Sequence, residues 1–202
     1  MKNSEYVLFL DLDGVLVDYS SGWWAIAKHM NIKPIEVKGE LEYSKADISR
    51  VHSQTCNPDF WSKLRWEHGG EELWGAANVL FENIHILTST AAKQNVQAHK
   101  IVEAGKLEWI KHNLHPHLPP GNIHVVSEGV QKASFANHLS ILVDDRKSTI
   151  KAFIQAGGYG ILHDTRKYRK TIEELKEVVL PLGLGEIARS LPVVRRGLWN
   201  RK

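Results

Sequence analysis

The chain has 202 residues, 43% of them hydrophobic and 24% charged, with a formal net charge of only +3, a balance that supports a sizeable core and excludes a disordered chain. Its single cysteine, Cys56, excludes an internal disulfide, and no apolar run approaches the ~20 residues of a membrane span. The opening Met1-Lys2-Asn3-Ser4-Glu5 does not read as a secretory signal, so a cytoplasmic protein is expected, with one α/β domain of roughly 150 residues and a smaller insertion.

The first predicted element is a buried strand over residues 6–10, which ends abruptly in Asp11-Leu12-Asp13-Gly14. Residues i and i+2 of an extended chain point the same way, so Asp11 and Asp13 emerge together from the carboxyl end of the strand. Two carboxylates held that close repel unless a cation or a shared proton compensates them. Open α/β sheets place their ligands at this edge.

Residues 20–70 break the pattern with Trp23, Trp24, Phe60, Trp61 and Trp66, helix-like patches and no convincing buried strand. They read as a small helical subdomain inserted after the first strand, lying over the crevice. Strand-helix alternation then resumes. Strands are predicted over 83–88, 122–126, 140–143 and 159–162, and helices over 71–81, 92–113, 132–138, 149–156 and 171–179. The domain organisation expected is therefore a core of residues 1–19 and 71–185, a helical cap of 20–70, and a basic tail of 186–202 holding Arg189, Arg195, Arg196, Arg201 and Lys202. The fold class is α/β: a Rossmann-like parallel sheet with helices on both faces.

In such a sheet the carboxyl ends of all strands share one edge. That edge gathers Thr88 and Ser89 after the second core strand and Asp144 and Asp145 after the fourth, with Lys132 one short helical segment before the latter. The set suits a phosphoryl group: one carboxylate attacks phosphorus, a second moves the proton, a divalent cation offsets charge repulsion, and a hydroxyl and an ammonium hold the phosphoryl oxygens. Oxygen ligands favour Mg²⁺ over zinc. His112, His115 and His117 fit no zinc spacing and read as a solvated loop, and Cys56 reads as inert.

Asp-Leu-Asp-Gly-Val at 11–15, the strand ending in Thr88, a lysine, and the strand ending in Asp144-Asp145 together resemble the haloacid dehalogenase superfamily of phosphotransferases. In finer detail, residues 11–19, Leu-Thr-Ser-Thr at 87–90 and Ile-Leu-Val-Asp-Asp-Arg at 141–146 are similar to the 5'(3')-deoxyribonucleotidases. The resemblance implies Asp11 as nucleophile and Asp13 as general acid/base. It implies Mg²⁺ held by the Asp11 carboxylate, the Asp13 carbonyl and one of Asp144 and Asp145, with Asp145 preferred. Thr88 and Ser89 would bind the phosphoryl group with Lys132, a role for which Lys106 competes. Tyr19, Phe60 and Trp61 would contact the base.

One departure stands out: Thr90 occupies a position where the nucleotidases usually have proline. The expected substrate is a small phosphomonoester, best a nucleotide. The alternatives are a polynucleotide end, another phosphorylated metabolite, or a non-catalytic phosphate-binding module. Nucleic acid as a partner is not favoured, and a membrane has no support.

Overall fold

A computed structural model describes residues 2–37, 40–90, 95–114 and 118–179. Five parallel strands form the central sheet in the order β5-β4-β1-β6-β7. They are β1 (Asn3–Leu10), β4 (Phe81–Ser89), β5 (Ile123–Val126), β6 (Ser140–Asp144) and β7 (Tyr159–Leu162). β1 pairs with β4 on one side and β6 on the other, so Leu10 lies between Ile86 and Val143. This central position explains why residues 6–10 read as an unbroken apolar run: both faces of the strand are covered.

The two faces have separate cores. Leu8, Leu10, Ile84, Ile86, Ile141 and Val143 share one with residues of α4 (Gly70–Leu80), α5 (Val96–Asn113) and α7 (Tyr168–Val179). Phe9, Leu87 and Leu142 point the other way, to Ile150 and Phe153 of α6 (Lys147–Gln155). Strand alternation distributes each run between the two layers. Helix starts follow their side chains: the Asn95 carboxamide oxygen accepts from Ala98 N–H at 2.9 Å at the head of α5.

The stretch before β6, expected as a helix over 132–138, is instead a 3-10 segment, Gly129–Phe135, opened by a capping box between Glu128 and Gln131. Three residues per turn suit a short connector whose task is to carry one lysine inward.

Residues after β1 hold α1 (Tyr19–His29), a two-stranded antiparallel hairpin of β2 (Ile35–Val37) and β3 (Glu40–Glu42), α2 (Lys45–Thr55) and α3 (Pro58–Ser62). The short hairpin is an addition to the helical patches expected in this stretch. Ile35 and Leu41 are exposed on it, so it carried no buried-strand signature in the sequence.

The two connections of the insertion run side by side. Asp18 N–H donates to Arg65 O, Glu67 N–H donates to Leu16 O, and Val17 bridges Trp66. No helix among the described residues is long and apolar enough to cross a membrane. The basic residues at 189–202 and the pair His115 and His117 lie outside the described residues.

Candidate active site

β1 ends at Leu10, and a tight turn follows in which the N–H groups of Leu16 and Val17 both donate to Leu12 O at 2.8 Å. Leu12, Val15, Leu16 and Val17 fill the core beneath this turn, which fixes Asp11 and Asp13 above it. Gly14 adopts φ +70°, and a Cβ there would sit 2.7 Å from Asp145 Oδ2. Only glycine lets the Asp145 carboxylate settle against this turn.

Two buried lysines organise the carboxylates. Lys132, carried in by the 3-10 segment, lies 2.8 Å from Asp11 Oδ1 and 2.7 Å from Asp144 Oδ2. Lys106, from α5, donates to Asp13 Oδ2 at 2.7 Å, Thr88 Oγ1 at 2.9 Å and Ser89 O at 2.8 Å. Lys132 therefore belongs to the Asp11 side and Lys106 to the Asp13 and Thr88 side. The sequence posed these lysines as competitors for one role; the structure brings both to the same edge, each with its own partners.

Asp144 and Asp145 differ although they are adjacent. Asp144 is fully buried, its second oxygen accepting from Arg146 N–H at 2.8 Å. Asp145 is open to solvent, and Asp11, Asp144 and Asp145 each bring a carboxylate oxygen within 4.8 Å of the others. Four carboxylates thus meet two ammonium groups.

The electrostatics follow from this excess of negative charge. Burial opposes the charge on Asp11, but Lys132 and Lys106 outweigh it and hold this carboxyl below its ordinary range. Asp13 goes the other way: burial raises it, Lys106 only partly opposes, and the Asp11 charge adds to the rise. Burial and the Asp11 charge push Asp144 up to about 6 against the pull of Lys132; Asp145 is exposed as a residue, but its carboxyl packs against the turn at Gly14, and this partial desolvation with the Asp11 and Asp144 charges pushes it up to about 7. Lys132 is desolvated, yet Asp11 and Asp144 hold it above the ordinary lysine value. One carboxylate poised ionised beside one poised to hold a proton is the division that acid/base chemistry uses.

A divalent cation fits this donor set. Three converging carboxylates, all oxygen ligands, and an uncompensated negative charge are what Mg²⁺ takes. Among the described residues Asp145 is the carboxylate of the four without an ammonium partner, whereas Asp144 is spent on Lys132 and the Arg146 backbone N–H. Among the described residues Asp13 Oδ1 is also buried with no hydrogen-bond partner.

The aromatic residues expected to meet a base form a cluster of their own. Tyr19 stacks on Trp61 with ring centroids 5.2 Å apart, and Phe60 meets both rings edge-on. Burial, with the nearby Asp13 charge, pushes the Tyr19 hydroxyl up to about 12. Trp61 is only 5% exposed, and its ring lies against Lys106 rather than opening to the crevice. Phe60 is half-buried and faces a shallow apolar groove lined also by Ile26 and Met30. At the ends of β4 and β5 an open depression of mixed lining is formed by His99, Val125, Val126, Ser127, Val130 and Gln131. Thr90, the departure in the sequence, bonds His99 through its hydroxyl at 2.8 Å. Cys56 is an exposed free thiol, and His112 pairs with Glu108 on α5.

No family model and no curated protein matches the sequence. Solved structures match in fold. A haloacid dehalogenase-superfamily hydrolase from Ehrlichia chaffeensis aligns with a TM-score of 0.51 at 14% identity, over 89% of this chain and 99% of that one. A haloacid dehalogenase-like hydrolase from Streptococcus pneumoniae gives 0.41 at 14%, over 82% and 97%. A haloacid dehalogenase-family enzyme from Bacteroides thetaiotaomicron gives 0.42 at 11%, over 81% and 95%. The fold is of the haloacid dehalogenase type.

Proposed function

We propose that this chain is a Mg²⁺-dependent phosphomonoesterase that works through an aspartyl-phosphate on Asp11, with nucleoside or deoxynucleoside monophosphates as its substrates. The observation that carries this reading is the placement of the buried Asp11 carboxylate between Lys132 and a cluster of acidic groups.

Mg²⁺ would be held by the Asp11 and Asp145 carboxylates and the Asp13 carbonyl, and when bound it supplies the charge that lets a phosphate dianion approach two carboxylates. An Asp11 oxygen attacks phosphorus as the bond to the leaving oxygen breaks, and the proton of Asp13 passes to that oxygen. Asp13 then takes a proton from water as the water oxygen attacks phosphorus, and the bond to Asp11 breaks to release phosphate. Lys132 keeps Asp11 ionised and faces the phosphoryl oxygens, which Thr88 and Ser89 flank from β4. Asp144 orients Lys132. The insertion within residues 20–70 acts as the cap over the α/β core, and Tyr19 and Phe60 supply the aromatic surface that a nucleobase would meet.

Asp11→Asn keeps the shape of the side chain and removes the nucleophile. Turnover should fall at least about a thousandfold while the thermal unfolding profile persists. The substrate class is tested with a panel of nucleoside 5'- and 3'-monophosphates, 3'-phosphorylated oligonucleotides and sugar phosphates, with and without Mg²⁺. Full activity of the Asp11→Asn protein would overturn the mechanism, and preference for oligonucleotides or sugar phosphates would overturn the substrate assignment.

A further inference from the structure

We infer that Trp61 is a positioning residue for Lys106, so that the insertion, through one indole ring, sets where the ammonium beside Asp13 stands. This rests on the reading of Asp13 as the acid/base group.

Lys106 has its three N–H groups committed to Asp13 Oδ2, Thr88 Oγ1 and Ser89 O at 2.7–2.9 Å, and its side chain is 2% exposed. Its Nζ lies 4.7 Å from the centroid of the Trp61 ring. An ammonium whose protons are all spent gains further from an aromatic face, because the ring quadrupole attracts the cation without demanding a donor. The face also excludes the water that would compete for those three acceptors.

Two features hold the ring in place. The indole Nε1–H donates to Thr55 O at 2.7 Å, and Tyr19 stacks on the ring with only 12° between planes. A third makes the approach possible. Gly105 precedes Lys106, and a Cβ at that position would lie 2.6 Å from Pro58 O and 2.7 Å from Trp61 Cβ. α3 therefore sits directly on the backbone of α5. The glycine that admits α3 and the lysine that α3 covers are consecutive residues, so the seating of one helix and the location of one charge are the same event.

The geometry separates this role from base stacking. Trp61 is 5% exposed and already in contact with Tyr19 and Lys106. Its replacement should act on kcat and not on the affinity for a base.

The test compares the full-length wild type, Trp61→Leu and Trp61→Phe, together with proteins carrying mono- to tetrafluorinated tryptophan at position 61. Fluorination preserves shape and weakens the ring face, so the series remains informative even if Trp61→Leu does not fold. With p-nitrophenyl phosphate and a nucleoside monophosphate, kcat should fall about tenfold for Trp61→Leu, and by increments along the fluorinated series. KM should change less than about twofold, and Trp61→Phe should recover most of the loss. In ¹⁵N-lysine-labelled protein the Lys106 ammonium protons should exchange slowly in the wild type and Trp61→Phe, and fast in Trp61→Leu. The inference is overturned if fluorination leaves kcat unchanged, if substitution raises KM for the nucleotide alone, or if the Lys106 ammonium exchanges equally slowly without the ring. A wild type inactive on both substrates would refute the phosphatase reading, and the ammonium signal would still decide the placement of Lys106.

Discussion

Asp144 and Asp145 stand next to each other and face different surroundings. Successive residues at a strand end point apart, so one carboxylate turns to Lys132 and the other to solvent. Removing Lys132 would strand Asp11 and Asp144 as buried charges, a loss on the order of 3–5 kcal/mol in comparable pairs.

A second buried residue makes a prediction at this scale. His163 is 4% exposed, its Nδ1 is 2.9 Å from Thr171 Oγ1, and its Nε2 has no partner among the described residues. Burial, only partly opposed by Asp164, lowers its pKa to about 4. The unfolded chain takes up a proton near pH 6.5 that the folded protein refuses until about pH 4, so this residue's contribution to stability is complete above pH 6.5 and disappears as the pH falls through that interval. The loss should reach a few kcal/mol by pH 4. Urea midpoints measured from pH 7.5 to 4 should fall more steeply for the wild type than for His163→Leu.

Among the elements, the contact of α3 with α5 sets a local stability test. In a helix interior Gly105→Ala would ordinarily gain about 1 kcal/mol from propensity. Here the new methyl meets backbone oxygen at 2.6 Å, and overpacking of this kind costs about 1–3 kcal/mol. The clash wins, since Pro58 O is not a side chain that can swing away. Gly105→Ala should lower the thermal midpoint by several degrees.

This seating also shows where the sequence stops being legible. Strands β1, β4, β6 and β7 announced themselves because a strand covered on both faces has few alternatives to an apolar run. The edge carrying Asp11, Asp13, Thr88, Asp144 and Asp145 followed from the parallel topology. The partners of each lysine did not. Lys106 lies on the buried stripe of its helix, with Val102, Gly105, Trp109 and Ile110, but a lysine and a glycine at two of those five positions blunt the apolar pattern, and its burial depends on that glycine accepting a distant helix. An interior glycine beside a lysine was the available signal, because it marks a close backbone approach. Trp61 was legible as aromatic and unassignable as to which face would be used.

For the molecule as a whole, the charge imbalance at the sheet edge has a thermodynamic reading. Four carboxylates with two ammonium groups repel one another in the folded state, and a divalent cation bound only by that state would relieve the repulsion. At a concentration of about 100 times its Kd, Mg²⁺ should add ~2.7 kcal/mol, or about 5–10 °C in thermal midpoint for a chain of this size. Differential scanning calorimetry with and without Mg²⁺ should show this shift, and Asp145→Asn should abolish most of it. An equal shift in the variant would exclude Asp145 as a ligand.

The paired connections at Leu16–Glu67 and Asp18–Arg65 mean that the insertion leaves and re-enters the core through one doorway. Such a doorway uncouples the length of what lies beyond it from the strand order behind it. The hairpin between α1 and α2 would then be free to vary in length while the acidic edge stays anchored to β1, β4 and β6, provided Ile32 and Tyr43 keep their packing against Ala27 and Val51. The freedom ends at Thr55, because from Asn57 onward the excursion belongs to the surroundings of Lys106. Under the function proposed above, variation that changes the substrate would therefore stop at a border inside the insertion, before the doorway closes.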